Sequence, residues 1–364
     1  MSGRVFVAMS GGVDSSVAAA ILADRGEDVV GVWMRLVTAG SGADAPRCCG
    51  TDEAGEDARR AAAALGIPFY ALDYADVFAE RVVDRFVAAY AAGETPNPCV
   101  ACNQHVKFEA LLRDVVGKFA GERLATGHYA RVVTDADGGR RLLRARDSAK
   151  DQSYALYGLG QRELARIELP IGELQDKSET RAIAARFGLP TATKAESMDI
   201  CFVPDDYRDL VRERAPAVFV PGPVERRDGT VVGTHPGIGA LTVGQRSGVG
   251  VATGERLYVL RLEPERGAAI VGTREEIATT TYELAEVRFV GGAPPASPFE
   301  TSVVLRYRGT PLAGRVVVHG SEATLELATP ALVAPGQAAV FYDGDEVLGG
   351  GVVRPVRAGG ARGA

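Results

Sequence analysis

Over the first two hundred residues, short apolar runs alternate with stretches whose apolar positions recur at helical spacing. Arg4 to Met9 is an apolar run ending in a glycine-rich turn and predicts a strand, and Asp14 to Arg25 predicts the helix after it. Gly26 closes that helix, and Val29 to Met34 reads as the next strand. Glu56 to Leu65 predicts a helix stopped by Gly66 with Pro68 just beyond, followed by a strand from Phe69 to Leu72. Val77, Phe78, Val82, Val83, Phe86, Val87 and Tyr90 share one helical face, and Gly93 ends it. Leu124 to Tyr129 reads as a strand. Asp176 and Glu179 make a capping box for a helix running to Phe187, which Gly188, Leu189 and Pro190 terminate. This alternation predicts an α/β domain over residues 1–204, a doubly wound parallel sheet with helices on both faces.

After about Pro204 the pattern changes to period two. Short alternating runs, rich in β-branched residues, are separated by turn signals such as Asp228-Gly229 and Asp343-Gly344. Arg256 to Leu262 and Ala268 to Val271 read as paired strands, and a Gly/Pro-rich stretch at 291–298 separates later ones. The expectation is a small β-rich central domain over 205–277, a C-terminal β-barrel over 278–356 and a disordered tail over 357–364.

Composition narrows the class. The chain has 364 residues, 46% apolar and 24% charged, as in globular proteins, and no apolar run nears the roughly 18 residues of a membrane span. An apolar strand beginning at Arg4 leaves no room for a targeting peptide, which predicts a cytoplasmic protein with no membrane partner. Five cysteines, Cys48, Cys49, Cys99, Cys102 and Cys201, do not form a secreted disulfide pattern; they suit free thiols, a metal site or redox chemistry. The net charge of −6 does not favour a nucleic-acid partner. Yet residues 123–150 carry seven basic against three acidic side chains, and phosphate binding needs only a local positive surface.

The strongest chemical signal is Ser10-Gly11-Gly12-Val13-Asp14-Ser15-Ser16, placed between a predicted strand and helix. Glycines admit a phosphate close to the backbone, the helix N-terminus offers unpaired N–H groups, and Asp14 suits magnesium or a ribose. The loop lacks the lysine and spacing of a Walker motif. It resembles the PP-loop of the ATP pyrophosphatases, enzymes that cleave ATP between its α and β phosphates and transfer AMP to a substrate oxygen.

Thr95-Pro96-Asn97-Pro98-Cys99 and Cys102-Asn103 place two cysteines three residues apart just before a helical stretch around Lys107 to Val115. A helix N-terminus favours thiolates in general. With Cys201 they could relay sulfur as a persulfide, hold an iron–sulfur cluster, or bind zinc. Gly127-His128-Tyr129 ends a strand at the ligand-binding edge of the sheet. Lys150 to Tyr154 gathers a cation, an amide and a ring, and Arg306-Tyr307-Arg308 alternates charge and ring at strand spacing, as phosphate contact and base stacking require.

In order, SGGVDSS, TPNPCVACN, ATGHYA, KDQSYAL, SMDICF, TVGQRSGVG, LRYRG and PGQAAVFYDGDEVLGGG resemble the tRNA-specific 2-thiouridylases, the MnmA family, from about Arg4 to Pro355. The resemblance implies an adenine-nucleotide α-hydrolase-like fold. It also implies a reaction in which ATP, with Mg2+, adenylates O2 of a tRNA wobble uridine and a persulfide sulfur displaces AMP. Ala8, Met9, Ser10, Gly11, Gly12, Val13, Asp14 and Ser15, with Met34 and Gly127, would hold ATP. Asn97, Pro98 and Cys99 would meet the target base. Cys102 would be the nucleophile and Cys201 the persulfide carrier, charged by a persulfide-donating protein such as a cysteine desulfurase or sulfur relay. His128, Lys150, Asp151, Gln152, Arg306, Tyr307 and Gln337 would contact tRNA. Some members carry Asp where this chain has Cys99. The third thiol leaves an iron–sulfur cluster on Cys99, Cys102 and Cys201 standing beside the persulfide relay. Two other functions stay open from residues alone: another PP-loop adenylating enzyme, either amidating a substrate with no need of Cys102 or Cys201 or thiolating a different substrate, and a non-catalytic nucleotide- and tRNA-binding protein.

Overall fold

The computed structural model describes residues 3–37, 51–195, 200–203, 206–251 and 255–355. Cys48, Cys49, Ser197 to Asp199, Pro204 at the first domain boundary and the expected tail at 357–364 lie outside them.

The N-terminal region is built on a five-stranded parallel sheet. Its strands are β1 (Val5–Ala8), β2 (Val29–Arg35), β3 (Phe69–Asp73), β4 (Arg123–Thr126) and β7 (Ile167–Glu168), ordered β3-β2-β1-β4-β7. The chain moves from β1 outward to β2 and β3, then returns to β1's other side with β4. The carboxyl ends of β1 and β4 therefore form a topological switch point, the crevice where open α/β sheets bind ligands. Helix α1 (Val13–Asp24) is almost wholly buried, and Ala18, Ala19 and Ala20 let it lie close to its neighbours. Helix α2 (Asp52–Ala64) starts from Thr51, whose side chain accepts from the Ala54 amide. Two long helical runs follow, α3 (residues 75–91) and α4 (residues 98–117), each with an internal π-helical stretch, and then α5 (Lys177–Arg186).

A four-stranded sheet comes next, made of β8 (Gly222–Arg226), β9 (Val231–His235), β10 (Tyr258–Glu263) and β11 (Ala268–Gly272), after the short helix α6 (Tyr207–Arg214). The C-terminal strands are β12 (Thr279–Phe289), β13 (Phe299–Val304), β14 (Leu312–His319), β15 (Glu322–Ala331), β16 (Ala338–Asp343) and β17 (Glu346–Val353). They close into a six-stranded antiparallel barrel because β12 pairs with both β15 and β17.

Three expectations change here. The basic stretch, expected to offer a local positive surface, is built into the sheet: β5 (Ala130–Thr134) and β6 (Arg140–Arg144) form a hairpin that joins the barrel through β17. Most of its arginines are engaged in ion pairs: Arg123 with Glu27 and Glu168, Arg131 with Asp345, Arg141 with Glu346, Arg144 with Asp151, and Arg146 with Glu173. Secondly, Arg306-Tyr307-Arg308 is not a strand. β13 ends at Val304, the Gly309 amide donates to the Arg306 carbonyl at 2.8 Å, and Arg308 takes φ 57°. Thirdly, the helix carrying the paired cysteines starts at Pro98, well before Lys107, so both cysteines lie inside it.

The barrel and the α/β region share one apolar core. Val304, Ala338, Val340, Tyr342 and Val347 of the barrel pack in the same cluster as Phe78, Cys102, Val106 and Leu124. Tyr154 Oη donates to the Ala338 carbonyl at 2.9 Å, and Arg144 stacks on the Tyr342 ring at 3.6 Å. The barrel is thus fastened to the α/β region through the same core that contains Cys102.

Candidate active site

The nucleotide end lies at the switch point. No side chain caps α1 at Gly12, so the first-turn N–H groups of α1 face the loop mouth. Ser15 Oγ accepts from the Ser10 amide at 3.1 Å and donates to the Gly12 carbonyl, which shapes the loop from inside. Gly11 has φ +75°, and a Cβ there would lie 2.2 Å from the Ala54 carbonyl oxygen. Gly127, just after β4, is equally constrained: a Cβ would sit 2.5 Å from the Ser15 nitrogen and 2.6 Å from the Asp14 carbonyl carbon. Met9 and Met34 are buried at the ends of β1 and β2. The missing side chains at Gly11 and Gly127 are what let the loop and the first turn of α1 pack this closely on their neighbours.

Asp14, on the first turn of α1, is held from two sides. Its Oδ1 accepts from Tyr129 Oη at 3.0 Å and from Lys177 Nζ at 2.5 Å. Tyr129 Oη also hydrogen-bonds Thr180 Oγ1 at 2.8 Å, so α5 and the segment after β4 orient the carboxylate together. Lys194 binds the loop differently, donating to the Gly11 carbonyl at 3.1 Å and pairing with Asp57. Lys177, Thr180 and Lys194 are no part of the sequence-based site, and Tyr129 enters it only as the end of the Gly127–Tyr129 motif. Only their approach in space marks them, since Lys177 lies 163 residues from Asp14.

Gly127→Ala is expected to push the first turn of α1 aside. A displacement of this kind at a reacting centre costs about 10²-fold in turnover, with roughly 1–3 kcal/mol lost in stability from overpacking. Pyrophosphate release and a thermal melt measure both, and wild-type turnover would remove Gly127 from the site.

The thiol end is built from α3, α4 and the segment around Cys201. Asn97 caps α4, its Oδ1 accepting from the Cys99 and Val100 amides at 3.1 and 3.4 Å, and Pro98 takes the first helical position. Cys99 is exposed and Cys102, one turn on, is buried at the start of the π-helical stretch. Cys201 is half-buried and packs against the same apolar cluster that contains Cys102. Its neighbour Phe202 anchors it, with edge-on contacts to Phe78 at 5.6 Å and Phe86 at 5.2 Å on α3. Two cysteines 99 positions apart in the chain therefore border one core.

Between the two ends sits His128. It is buried, its Nδ1 lies 2.7 Å from Thr126 Oγ1, and its ring packs on Phe108 of α4. Burial, reinforced by the nearby Lys107 charge, holds its imidazole neutral far below the usual histidine range.

Three family models match in register with these regions: the tRNA methyl transferase HUP domain over residues 3–205, the tRNA methyl transferase PRC-barrel domain over 209–273, and the aminomethyltransferase β-barrel domain over 279–353. The chain is 47% identical to the tRNA-specific 2-thiouridylase MnmA of Chloroflexus aggregans, over 97% of this chain and 99% of that protein. It is 44% identical to the protein of the same name from Roseiflexus castenholzii, covering 96% and 98%, and 43% identical to that of Magnetococcus marinus, with the same coverage. The chain belongs to the tRNA-specific 2-thiouridylase MnmA family.

Residues that the MnmA resemblance assigns to tRNA fall into two groups. Tyr307 is exposed, and its ring stands 6.3 Å from that of Tyr154, so the Arg306–Arg308 turn lies beside the Lys150–Tyr154 segment. Lys150 is half-buried. Asp151 and Gln152, however, face inward. Asp151 receives the Arg144 guanidinium, the Ala145 and Ser153 amides and the Ser153 hydroxyl; Gln152 Oε1 accepts from the Tyr129 amide at 2.9 Å. Gln337 on the barrel donates to the Thr95 carbonyl at 2.6 Å, while the Thr95 amide donates to the Pro335 carbonyl. The barrel thereby grips the residue two positions before Asn97. His128 and Asp151 are not brought to the surface.

Among the described residues no three His, Cys, Asp or Glu side chains are grouped closely enough to hold a metal ion. No helix among the described residues is long and apolar enough to cross a membrane.

Proposed function

We propose that this chain is an ATP-dependent tRNA-uridine 2-sulfurtransferase that thiolates the wobble uridine in the cytoplasm. Support comes above all from two features in one chain: a PP-loop at the sheet's switch point, and Cys102 and Cys201 bordering one apolar core. Amidation by a PP-loop enzyme would have no use for the second feature.

A uracil carbonyl oxygen leaves poorly until it becomes a phosphoester. In the first step, O2 of the uridine attacks the α-phosphorus, the bond to the β-phosphate oxygen breaks, pyrophosphate departs with the electron pair, and the N3 proton passes to water. The α1 N–H groups and the Ser10 hydroxyl would hold the phosphates, and Asp14 would hold the Mg2+ that neutralises them. The terminal sulfur of a Cys201 persulfide, loaded by a donor protein, then attacks C2 and AMP leaves. Attack of the Cys102 thiolate on the Cys201 sulfur releases 2-thiouridine and leaves a Cys102–Cys201 disulfide, which an external thiol reductant resets. The base must leave the anticodon stack to reach these groups, at a cost of a few kcal/mol. The Tyr307 ring and the arginines beside it offer tRNA surface to offset that cost.

The test is thiolation itself. Unmodified tRNA incubated with the chain, Mg-ATP and a persulfide donor should give an ATP-dependent band retarded in a mercury gel. Pyrophosphate release without any retarded band would mean that the loop is right and the acceptor wrong.

A further inference from the structure

A carboxylate serves magnesium only when its oxygens are well aimed, because Mg2+ demands near-ideal octahedral geometry. Groups that hydrogen-bond a ligating side chain therefore tune metal affinity nearly as much as the ligand itself. Asp14 is a hard oxygen donor of the kind magnesium takes, and it stands on the first turn of α1. The group that aims it comes from the segment after β4.

We propose that Tyr129 is a positioning residue that fixes the Asp14 carboxylate for magnesium. The proposal rests on the reading of the loop as an ATP site. Tyr129 is buried, and its hydroxyl meets two side chains at once, Asp14 Oδ1 at 3.0 Å and Thr180 Oγ1 at 2.8 Å. A phenol has a single proton, and an ionised carboxylate only accepts. The Tyr129 proton therefore goes to Asp14, and the Thr180 hydroxyl donates to the phenol oxygen. Thr180 is fully buried on α5, so this chain from Thr180 through Tyr129 to Asp14 starts inside the protein. Oδ1 takes this bond together with the Lys177 ammonium, which leaves Oδ2 as the oxygen the carboxylate can offer to a cation.

The tyrosine is itself clamped. Its amide donates to Gln152 Oε1 at 2.9 Å, and the Gln152 amide donates to its carbonyl at 2.8 Å. Gln152 follows Asp151, which the Arg144 guanidinium and the Ala145 and Ser153 amides hold in turn. A hydroxyl on so fixed a main chain can orient a ligand instead of following it.

Tyr129 and Thr180 share one hydrogen bond, and only Tyr129 makes the second; that difference supplies the test. Tyr129→Phe removes both bonds while keeping the buried ring, whereas Thr180→Val removes only the shared one. Titration calorimetry on the full chain would measure ATP binding as Mg2+ is raised, and AMP binding without metal. Pyrophosphate release with unmodified tRNA would be followed over the same Mg2+ range. Tyr129→Phe should need roughly 10- to 100-fold more Mg2+ for half-maximal ATP binding, the range for loss of an outer-shell partner. AMP should bind within about twofold of wild type, because no metal enters that equilibrium. Pyrophosphate release by Tyr129→Phe should recover toward wild type at saturating Mg2+, which a general structural defect would not allow. Thr180→Val should shift the Mg2+ requirement by only about two- to fivefold, since one neutral hydrogen bond is lost away from the carboxylate. Equal shifts in the two variants would make Tyr129 a mere packing contact to α5 and overturn the proposal, as would an unchanged Mg2+ requirement. Losses of AMP and ATP binding of the same size in Tyr129→Phe would overturn it too, by showing a role that does not pass through the metal. A wild type that binds no ATP at any Mg2+ concentration would instead sink the ATP reading of the loop, which a failure at Tyr129 alone would leave standing.

Discussion

Asp14→Ala is expected to reduce tRNA-dependent pyrophosphate formation by at least about 10²–10³-fold, the loss seen when one charge-stabilising group is removed from a preorganised site. The carboxylate is the only acidic group in the loop from Ser10 to Ser16, and both Tyr129 and Lys177 are aimed at it. Its removal takes away the group suited to magnesium. Stability should change little, by about 1 kcal/mol or less, because the ion pair is part-exposed and Tyr129 Oη keeps its bond to Thr180 Oγ1. A melting curve and a pyrophosphate assay read the two effects separately. Near-normal pyrophosphate release from a folded Asp14→Ala protein would refute the assignment of this loop to ATP.

The second large effect is expected at the thiol end. Cys201→Ala should remove thiolated tRNA by more than roughly 10³-fold, as deletion of an enzymatic nucleophile does. Pyrophosphate formation should stay within a few-fold of wild type. The substitution deletes a single sulfur from a half-buried position, and Phe202 still binds between Phe78 and Phe86, so the segment keeps its anchor. Cys102→Ala should block release of thiolated product after adenylation, leaving the tRNA joined to Cys201 through a disulfide. Mercury-gel mobility and pyrophosphate release, measured on the same samples, separate the adenylation and sulfur steps. If Cys201→Ala thiolates at the wild-type rate, the persulfide relay through Cys201 is wrong and sulfur must arrive by way of Cys99 or Cys102.

The two ends of the site were not equally legible. The PP-loop could be read because its chemistry is contiguous: seven neighbouring residues supply the turn, the helix start and the carboxylate. The cysteine helix was located but its start was misplaced. Asn97 and Pro98 are an N-cap and first-turn pair, yet two prolines in four residues read as a turn, and the π-helical stretch from Cys102 to Leu111 blurs the usual helical spacing. Arg306-Tyr307-Arg308 was misread because three alternating residues fit a strand or a turn equally well. Arg308 adopts a left-handed backbone angle that no pattern of side chains announces.

By itself the amino-acid order determined what depends on near neighbours. Helix stops at Gly26, Gly66, Gly93 and Gly188, all at positive φ, follow from the missing Cβ. The Asp176 cap and the strand–helix alternation that implies a parallel sheet are equally local. Tertiary structure alone decided where the charges go. Residues 123–150 looked like a surface for phosphates, but Arg131, Arg141 and Arg144 bind acids on the barrel or in the adjoining segment. The same holds for Lys177 on Asp14, Gln337 on Thr95, and Cys102 with Cys201 around one core. Apart from Arg144 and Asp151, these pairings join residues 99 to more than 200 positions apart, and an electrostatic or apolar contact depends on distance in space, about which spacing along the chain says nothing.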